Sequence, residues 1–586
     1  MKLIFRSMGR YRQTIFLAVL LKLLGTLAEL SIPYILEHII DYVVPLGQLK
    51  PVILWGCLMF AAAIVTRMLN VTANRWAIEN AHRVSYDVRQ ALFRKIAYLS
   101  GNQFDAFGLP SLISRMTSDS YNVQTAVQQL QALCIRAPML LLGGVAMTLA
   151  MDASLAMILV IMLPMLILIV LAVSAKGIPM YARVQGKLDV LVRIMRENIT
   201  GIRVVKALSK AEYEKRRFAD ANGGMTDTDI TASTVMAIPG PFLQFCLNGG
   251  LTLVVLLGAR RVNAGTMEPG VILAFLTYFN MIAMGVMGLT RIFMTMSKAS
   301  ASANRIDEVL RAETEQHILN RTEGLKPAGE GFIRFENVGF RYGEDSQTGD
   351  SAGFAGEGRE KALDGITFTL EKGESLGIIG PTGCGKSTVI QLLLRFYDAG
   401  EGGIFLDGRD VRTYDQDALR RRFGVCFQND MVFQDTLREN VNFGRGLSDE
   451  EVRAALGDAM ALEYVDSLPE GLDYAAAIKG ANLSGGQKQR LLVARALAGK
   501  PEVLILDDSS SALDYKTDAA MRRAIHEHYG NATLIMVAQR ISSIMGMSHI
   551  LVMDEGKCIG YGTHEELMES CPVYRETYQI QMGDMQ

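Results

Sequence analysis

The sequence predicts a chain of two parts, a membrane domain of α-helices followed by an α/β domain built around a Gly-rich loop. Three observations support this fold class. The chain has 586 residues, which is too long for one ordinary domain. Its hydrophobic fraction of 49% is high, and long apolar stretches concentrate before residue 300. In the second half, a Gly-rich loop separates a strand-like apolar run from a helix-like run.

Charge and cysteine content exclude several classes of protein. The net charge is -2, and no basic run of five or more residues occurs, so we do not expect nucleic acid as a partner. The seven cysteines are scattered and lack zinc-ligand spacing, which indicates reduced thiols. The basic N-terminus precedes an apolar segment too long for a signal peptide, so we expect a retained first membrane helix.

Six apolar windows before residue 300 are long enough, or nearly so, to cross a bilayer as helices, which takes ~20 residues. Several contain Pro, Gly or isolated charges and run long, which predicts tilted helices that continue beyond the bilayer. The windows are residues 14–44, 51–77, 129–150, 154–174, 235–258 and 268–295.

Basic residues predict the orientation of these helices. The N-terminal tail and the segments after the second and fourth windows are rich in Lys and Arg, which places them in the cytoplasm. Arg260 and Arg261 lie on the opposite side and do not fit this rule. Apolar residues at helical spacing predict that the two long cytoplasmic segments are protruding helices, with tips near 107–114 and 206–214.

Ionisable groups and methionines inside the apolar windows are candidates for a substrate pathway. Charge in lipid costs a few kcal/mol on insertion scales, so such residues usually serve a function. A methionine stripe in the sixth window suits varied apolar ligands. Snorkelling of Lys22, placement of the arginines outside the bilayer and plain helix packing of the methionines remain alternatives. The candidates are Glu29, Arg67, Arg136, Met284 and Arg291.

A polar linker separates the two predicted domains. Hydropathy falls after Arg305, and turn residues end the linker near Gly331. We therefore assign residues 1–310 to the membrane domain, 311–330 to the linker and 331–586 to the α/β domain. Two early strands of the α/β domain flank a Gly- and Ser-rich stretch at 343–361, which predicts a flexible hairpin insertion.

The segment GPTGCGKST, residues 380–388, fits the G-x-x-x-x-G-K-[ST] phosphate-loop pattern between a strand and a helix. In this context backbone N–H groups and a helix N-terminus cradle phosphate oxygens. Lys386 is expected to reach the terminal phosphates, and Ser387 to reach a magnesium ion. The loop residues expected to bind the nucleotide are Gly380, Thr382, Gly383, Cys384, Gly385, Lys386, Ser387 and Thr388.

Two further segments complete the predicted nucleotide chemistry. The buried strand EVLILD ends at Asp507, which is expected to hold magnesium through its hydration shell. The LSGGQ segment, 483–487, opens an amphipathic helix and offers a second anion-binding helix terminus through Ser484, Gly485, Gly486 and Gln487. Two such termini in one domain predict a head-to-tail pair of chains, each closing the other's loop.

With these motifs behind six membrane helices, the sequence resembles the ATP-binding cassette transporters, in particular exporter-type half-transporters, over nearly the whole chain. The resemblance implies an α/β P-loop ATPase domain with a RecA-like core and a helical subdomain, binding ATP and Mg²⁺. It implies that Tyr342 stacks on adenine, Gln428 links magnesium to the membrane domain, and Asp514 acts across the dimer. It also implies coupling regions at 109–119 and 197–208.

Two positions depart from the pattern of this family. Asp508 stands where such cassettes usually carry a catalytic Glu, and its carboxylate lies roughly 1.3 Å short of the position that holds the attacking water. Gln539 stands where the family has a histidine, and it cannot carry the positive charge of an imidazolium. We therefore expect Asp508, Gln539 and Gln428 to form a weak catalytic set.

The departures predict a subunit of a heterodimeric exporter, with its nucleotide-binding domain in the cytoplasm. The absence of an organellar presequence favours a prokaryotic plasma membrane. The second, non-identical half-transporter would hydrolyse ATP at a site that this chain's LSGGQ completes. Small amphipathic drugs, lipids or peptides are the expected substrates. The alternatives are a slow homodimer, an importer with the same fold, and a regulatory or channel-like ATP-binding protein.

Overall fold

The computed structural model describes residues 1–312, 331–343, 360–509 and 511–583. The linker assigned to 311–330 and the insertion at 343–361 therefore lie mostly outside the described residues. The chain divides into two compact units, one of residues 1–94 and 112–311 and one of residues 95–111 and 312–586. Residues 95–111 thus group with the α/β domain, whereas the sequence placed them in the membrane domain.

The first unit and the short segment inserted into it are helical. The helices are α1 Lys2–Met8, α2 Arg12–His38, α3 Leu49–Ala97, α4 Gly101–Phe107, α5 Leu109–Ser114, α6 Ser120–Met151, α7 Ala153–Thr200, α8 Ile202–Ala207, α9 Ala211–Ala237, α10 Pro239–Asn263 and α11 Pro269–Arg311. Among the described residues, five helical segments are long and apolar enough to cross a membrane, and a shorter apolar stretch, Ala153–Ile169, lies within α7. The predicted windows fall on α2, α3, α6, α7, α10 and α11, and the count of six spans stays a prediction.

Small residues let the membrane helices pack closely. A Cβ on Gly285 of α11 would lie 2.9 Å from the Ala137 carbonyl oxygen of α6, so only glycine fits this crossing. The buried Tyr278 hydroxyl donates to the Leu30 carbonyl of α2 at 2.7 Å. Arg261, which broke the orientation rule, donates to both oxygens of Asp152 at 2.8 and 2.9 Å. Its charge is therefore neutralised by the turn between α6 and α7.

The second unit contains two sheets. The strands are β1 Ile333–Phe340, β2 Leu363–Leu370, β3 Ser375–Ile379, β4 Glu401–Leu406, β5 Arg409–Asp410, β6 Phe423–Cys426, β7 Val503–Asp507, β8 Thr533–Val537, β9 His549–Asp554 and β10 Lys557–Gly562. An antiparallel sheet has the order β2-β1-β4-β5, and a six-stranded sheet has the order β10-β9-β3-β8-β7-β6. Strands β9, β3, β8, β7 and β6 run parallel, and β10 closes one edge antiparallel.

Helices cover the parallel sheet, and strand β7, next to the edge strand β6, is buried along its whole length. The helices are α12 Lys386–Leu393, α13 Gln416–Arg420, α14 Leu437–Asn442, α15 Asp449–Asp458, α16 Leu462–Asp466, α17 Gly485–Leu497, α18 Tyr515–His528, α19 His564–Ser570 and α20 Pro572–Met582. Side chains of α14 to α18 share one apolar core with β7 and β8. Because parallel strands end at the same edge, the loops after β3, β8, β7 and β6 meet there, and this edge carries the site.

Candidate functional site

The loop between β3 and α12 forms the floor of a cleft at the carboxyl edge of the sheet. Gly380, Gly383 and Gly385 have φ of +158, +88 and +100°, and the two last values favour glycine. A Cβ on Gly380 would clash with the Met553 carbonyl, and one on Gly385 would lie 2.7 Å from the Ala362 carbonyl oxygen. The glycines are therefore required for the path of the loop, and its backbone stays close to the cleft.

The cleft has a volume of about 230 Å³, and half of the residues predicted to bind the nucleotide line it, together with the residues predicted to be catalytic or to bind magnesium. Gly380 and the buried Cys384, which were also predicted to bind the nucleotide, are not among the lining residues. Ala362 and Val537 also line the cleft and were not predicted, because their small size or backbone position gives no sequence signal. The predicted lining residues are Tyr342, Thr382, Gly383, Gly385, Lys386, Ser387, Thr388, Gln428, Asp507, Asp508 and Gln539.

The groups predicted to hold magnesium lie next to each other. The Ser387 hydroxyl at the start of α12 donates to Asp507 Oδ2 at 3.0 Å. Burial raises the pKa of Asp507, as does the neighbouring Asp508 charge, while the Ser387 hydroxyl lowers it. A hydroxyl and a carboxylate with oxygen ligands fit a hard divalent cation, whose charge favours the ionised carboxylate.

Lys386 is held at the mouth of the loop. Its ammonium donates to the carbonyl oxygens of Gly380 and Pro381, each at 2.7 Å. Neutral carbonyl acceptors do not balance its charge, so an anionic phosphate oxygen is a stronger partner for it. The ammonium of Lys386 and the oxygen ligands of Ser387 and Asp507 therefore fit a nucleoside triphosphate with magnesium.

Asp508 follows β7 directly and lies at the centre of the three residues predicted to be catalytic. Its Oδ2 atom accepts from Gln539 Nε2 at 2.9 Å and from Gln428 Nε2 at 3.4 Å. Burial raises the pKa of Asp508, while Gln428, the Lys386 charge and Gln539 lower it. The structure thus joins the three predicted catalytic residues, and both glutamines bind the same carboxylate oxygen.

Tyr342 lines the cleft with its hydroxyl anchored to α12. The hydroxyl donates to Gln391 Oε1 at 2.8 Å and shares a hydrogen bond with Thr388 Oγ1 at 3.0 Å. Its ring stands edge-on to the ring of Tyr397, with centroids 5.3 Å apart. Tyr397 in turn donates to Asp105 Oδ2 of α4 at 2.7 Å. Sequence reasoning missed Tyr397, which has no motif to mark it.

The short helix α4 contacts the α/β domain directly, and the coupling role expected for 109–119 stays a prediction. The Gly101 amide donates to the Phe396 carbonyl at 3.0 Å, and a Cβ on Gly101 would lie 2.7 Å from the Tyr397 ring. The contact falls on 101–107, earlier in the chain than the 109–119 segment that we expected. The close approach of Gly101 explains why this short helix groups with the second unit.

The second predicted anion-binding terminus, at α17, does not line the cleft within the part of the chain that the structure describes. Ser484 Oγ accepts from the Gln487 amide, and Gln487 Oε1 accepts from the Ser484 amide at 2.8 Å, which is a capping box. Asp514 also lies outside the cleft and caps α18 by accepting from the Thr517 amide, which lowers the pKa of Asp514.

The pathway candidates occupy different environments in the membrane unit. Arg67 and Arg291 are exposed, and Met284 is exposed on α11. Glu29 accepts from Arg136 Nη2 at 2.7 Å and from Arg136 Nε at 3.3 Å, joining α2 to α6. Only the Glu29 and Arg136 pair is brought together by the structure among the described residues.

Apolar helices joined to a phosphate-binding α/β unit define a membrane protein with a nucleotide-binding domain. Residues 15–287 match the family described as ABC transporter transmembrane region, and residues 363–511 match the family described as ABC transporter.

Two relatives in Bacillus subtilis cover nearly all of the chain. The uncharacterized ABC transporter ATP-binding protein YfiB is 32% identical over 97% of this chain and 96% of its own length. The uncharacterized ABC transporter ATP-binding protein YknU is 30% identical over 98% and 96%. The structure of a bacterial Atm1-family ABC exporter with ATP bound has a TM-score of 0.79, at 22% identity over 97% and 98% of the two chains.

The chain therefore belongs to the ABC transporter family and has the exporter-type fold, with a transmembrane region before an ATP-binding domain. The likeness to the solved exporter, at its low sequence identity, shows the fold alone. Membership of the family implies an ATP-driven transporter embedded in a membrane, and it implies ATP, typically with Mg²⁺, as the ligand of the cleft.

Proposed function

We propose that this protein is one half of a heterodimeric ATP-driven exporter whose own nucleotide site binds ATP but hydrolyses it slowly. Its partner would be a non-identical half-transporter, and its substrates would be small amphipathic drugs, lipids or peptides. The exporter-type fold and the bacterial relatives support a place in a prokaryotic plasma membrane, with the nucleotide-binding domain in the cytoplasm.

The binding side of the cleft supports retention of the nucleotide. Lys386 presents an ammonium whose present partners are neutral carbonyls, and Ser387 and Asp507 present the oxygen ligands that suit magnesium. When bound, the magnesium ion neutralises charge on the terminal phosphates. The residues of this chain position that ion and hold the phosphates in place.

The single observation that carries the proposal is the environment of Asp508. One of its two carboxylate oxygens, Oδ2, accepts from both Gln428 and Gln539, so side-chain donors already hold the carboxylate through this oxygen. A shorter acid engaged in this way is poorly placed to orient a water molecule. Gln539 is also neutral, so it does not add positive charge where phosphate charge develops. Weakening a base and a charge stabiliser typically slows turnover by roughly 10²- to 10⁴-fold.

The intact LSGGQ terminus supports the division of labour. Ser484 and Gln487 satisfy each other, and α17 begins outside the cleft of its own chain within the described residues. The N-terminus of α17 can therefore still bind phosphate, and that phosphate would belong to a nucleotide held by another chain. We infer that this terminus closes the partner's competent site.

The test compares two substitutions in the complex purified with its native partner. Ser484→Arg fills the α17 terminus and is expected to lower ATP hydrolysis by the complex by roughly 10²-fold or more. Asp508→Asn is isosteric and is expected to change hydrolysis by less than about twofold, because the partner's site does most of the work.

Ser448→Arg is the matched control for the first substitution. Ser448 caps α15 with the same capping box, so this control separates loss of a cap from loss of the α17 terminus. Equal losses of hydrolysis from Ser484→Arg and Asp508→Asn would contradict the proposal. Brisk hydrolysis by this chain assembled only with itself would contradict it as well.

A further inference from the structure

A group of polar side chains joins α2, α3 and α6 inside the membrane unit. Lys22 is only 5% exposed, and its ammonium donates to Asn70 Oδ1 at 2.8 Å and to Asn74 Oδ1 at 3.0 Å. The sequence allowed Lys22 to snorkel to the interface, but the structure buries it between helices. Its partners are neutral amides, so its charge is solvated without being neutralised.

The position of Lys22 is built by its neighbours. Asn70 Nδ2 donates to the Thr66 carbonyl at 3.0 Å, which leaves the Asn70 amide oxygen toward Lys22. A Cβ on Gly25 would lie 3.0 Å from Asn70, so the glycine lets α2 and α3 approach closely here. The ammonium is therefore held in a fixed place by packing and hydrogen bonds.

The Glu29 and Arg136 pair lies within electrostatic range of Lys22 and does not cancel its charge. Both oxygens of Glu29 accept from Arg136. The three ionisable side chains are two cations and one carboxylate, so the group carries one excess positive charge. Ionisable residues inside membrane segments usually pair with one another, and this group lacks one anion among the residues that the structure describes.

Arg136 offers the point of access. Its side chain is 35% exposed, whereas that of Glu29 is 17% exposed. Arg136 Nε and Nη2 are used by Glu29, and Nη1 donates to no described atom. A ligand anion can therefore bind the free edge of the guanidinium while the buried Lys22 adds to the positive potential.

The depth of the group decides the class of ligand. Lys22 lies about 15 Å along α2 from Arg12, and Arg136 lies about 22 Å along α6 from Met151, within helices long and apolar enough to cross a core of ~30 Å. A ligand that reaches this depth from the bilayer needs an apolar body. We propose that Lys22, Glu29 and Arg136 form a binding site for the anionic head group of an amphiphile, such as a carboxylate or a phosphate ester.

This proposal names the substrate class of the proposed exporter and rests on that function for its role in transport. The binding site itself is tested without nucleotide, so a failed asymmetry test in the nucleotide domains leaves the binding result unaffected. The complex with its native partner is placed in phosphatidylcholine nanodiscs, and the binding of radiolabelled oleate is compared with that of oleyl alcohol, its uncharged analogue.

Charge predicts opposite effects for two substitutions. Lys22→Gln keeps a donor for the asparagines but removes the excess charge, and it is expected to weaken oleate binding roughly tenfold. Glu29→Gln frees Arg136 and adds one positive charge, and it is expected to tighten oleate binding severalfold. Binding of oleyl alcohol is expected to change in neither variant. Arg75→Gln, which removes an exposed cation from α3, is the matched control and is expected to leave oleate binding unchanged.

Several outcomes would overturn the proposal. A purely structural group predicts that both substitutions weaken binding of oleate and oleyl alcohol alike. Since Lys22→Gln can fail to fold, the gain expected from Glu29→Gln stands as an independent test, and its absence counts against the site. Competition by acetate at the same concentration as oleate would assign the site to a free soluble anion and not to an amphiphile.

Discussion

The two helix termini predicted to bind phosphate, at α12 and α17, differ in how their first backbone N–H groups are satisfied. Gly385 precedes α12 in the left-handed region and supplies no side-chain cap. Ser484 precedes α17 and forms a complete capping box with Gln487. The α12 terminus opens into the cleft, which also contains Lys386 and the two residues predicted to bind magnesium, Ser387 and Asp507. The α17 terminus lies outside that cleft within the described residues.

In the proposed function, this difference separates a site completed within the chain from one that a second chain completes. The α12 terminus has no side-chain cap from its N-cap residue, so its first N–H groups can donate to a ligand. The α17 terminus is stabilised by its own capping box, so it needs no ligand from its own chain. It would be available to bind a phosphate held by another subunit. The predictions below test this comparison in order of decreasing effect.

The largest effect is expected when the cleft of α12 is given the usual catalytic groups. Asp508→Glu combined with Gln539→His restores the longer acid and a titratable imidazole. Hydrolysis at this chain's own site is expected to rise by roughly 10²-fold, measured in a complex whose partner site is inactivated by substitution. Gln539→Ala alone removes an amide without adding charge and is the control. Unchanged turnover in the double variant would show that Asp508 and Gln539 do not limit this site.

A smaller effect, a loss of nucleotide affinity, is expected when the cation of the α12 loop is removed. Lys386→Ala eliminates charge-assisted hydrogen bonds to the phosphates, which are worth about 1.5–3 kcal/mol each. Photocrosslinking of azido-ATP to this chain is expected to need roughly 10- to 100-fold more nucleotide. Lys557→Ala, in an exposed residue of β10, is the control. Normal labelling of the Lys386 variant would mean that the backbone alone holds the phosphates.

Much of this site was predictable from sequence, because each group follows the end of a strand in a motif of fixed spacing. The phosphate loop, Asp507 and Asp508 follow β3 and β7, which are neighbours of β8 in the sheet. Their convergence follows from parallel strand order, which the motifs imply. The hydrogen bonds from Gln428 and Gln539 to one Asp508 oxygen were not predictable, because they depend on rotamers and on the distance between β6 and β8.

The membrane unit shows a different limit of sequence reasoning. Apolar windows located the long helices, since length and hydropathy are local properties. The burial of Lys22 and the contacts of Arg261 with Asp152 and of Arg136 with Glu29 depend on which helices become neighbours. Likewise, the close approach of Gly101 to Tyr397 joins residues almost 300 positions apart. Such contacts come from tertiary packing, which local periodicity does not encode.

A roughly tenfold effect is expected when the hydroxyl at α17 is removed. Ser484 Oγ accepts from the Gln487 amide, so its own O–H group is left to donate to a phosphate. Ser484→Ala therefore loses a cap worth about 1 kcal/mol and a donor to a charged group worth about 1.5–3 kcal/mol. ATP hydrolysis by the complex is the measurement. Ser448→Ala loses the equivalent cap of α15, and an equal fall in hydrolysis for this variant would reduce Ser484 to a structural role.

The smallest effect is expected at Gln489, which connects α17 to the loop that carries Asp508. Gln489 Nε2 donates to the Asp508 carbonyl at 3.1 Å and to Ser511 Oγ at 3.2 Å, and its Oε1 accepts from the Ala512 amide at 2.9 Å. These bonds tie α17 to the loop after β7, where Asp508 has a φ of +50°.

Gln489→Ala removes three hydrogen bonds at partly exposed positions, which is expected to cost about 1–3 kcal/mol and to lower the Tm of the purified complex by roughly 2–4 °C. Gln579→Ala, on the exposed face of α20, is the control. If α17 and the α12 cleft act independently, only the Tm falls. If Gln489 instead links α17 to the position of Asp508, Gln489→Ala also changes the concentration of azido-ATP needed for photocrosslinking to this chain, and the two termini then function as one unit despite their different caps.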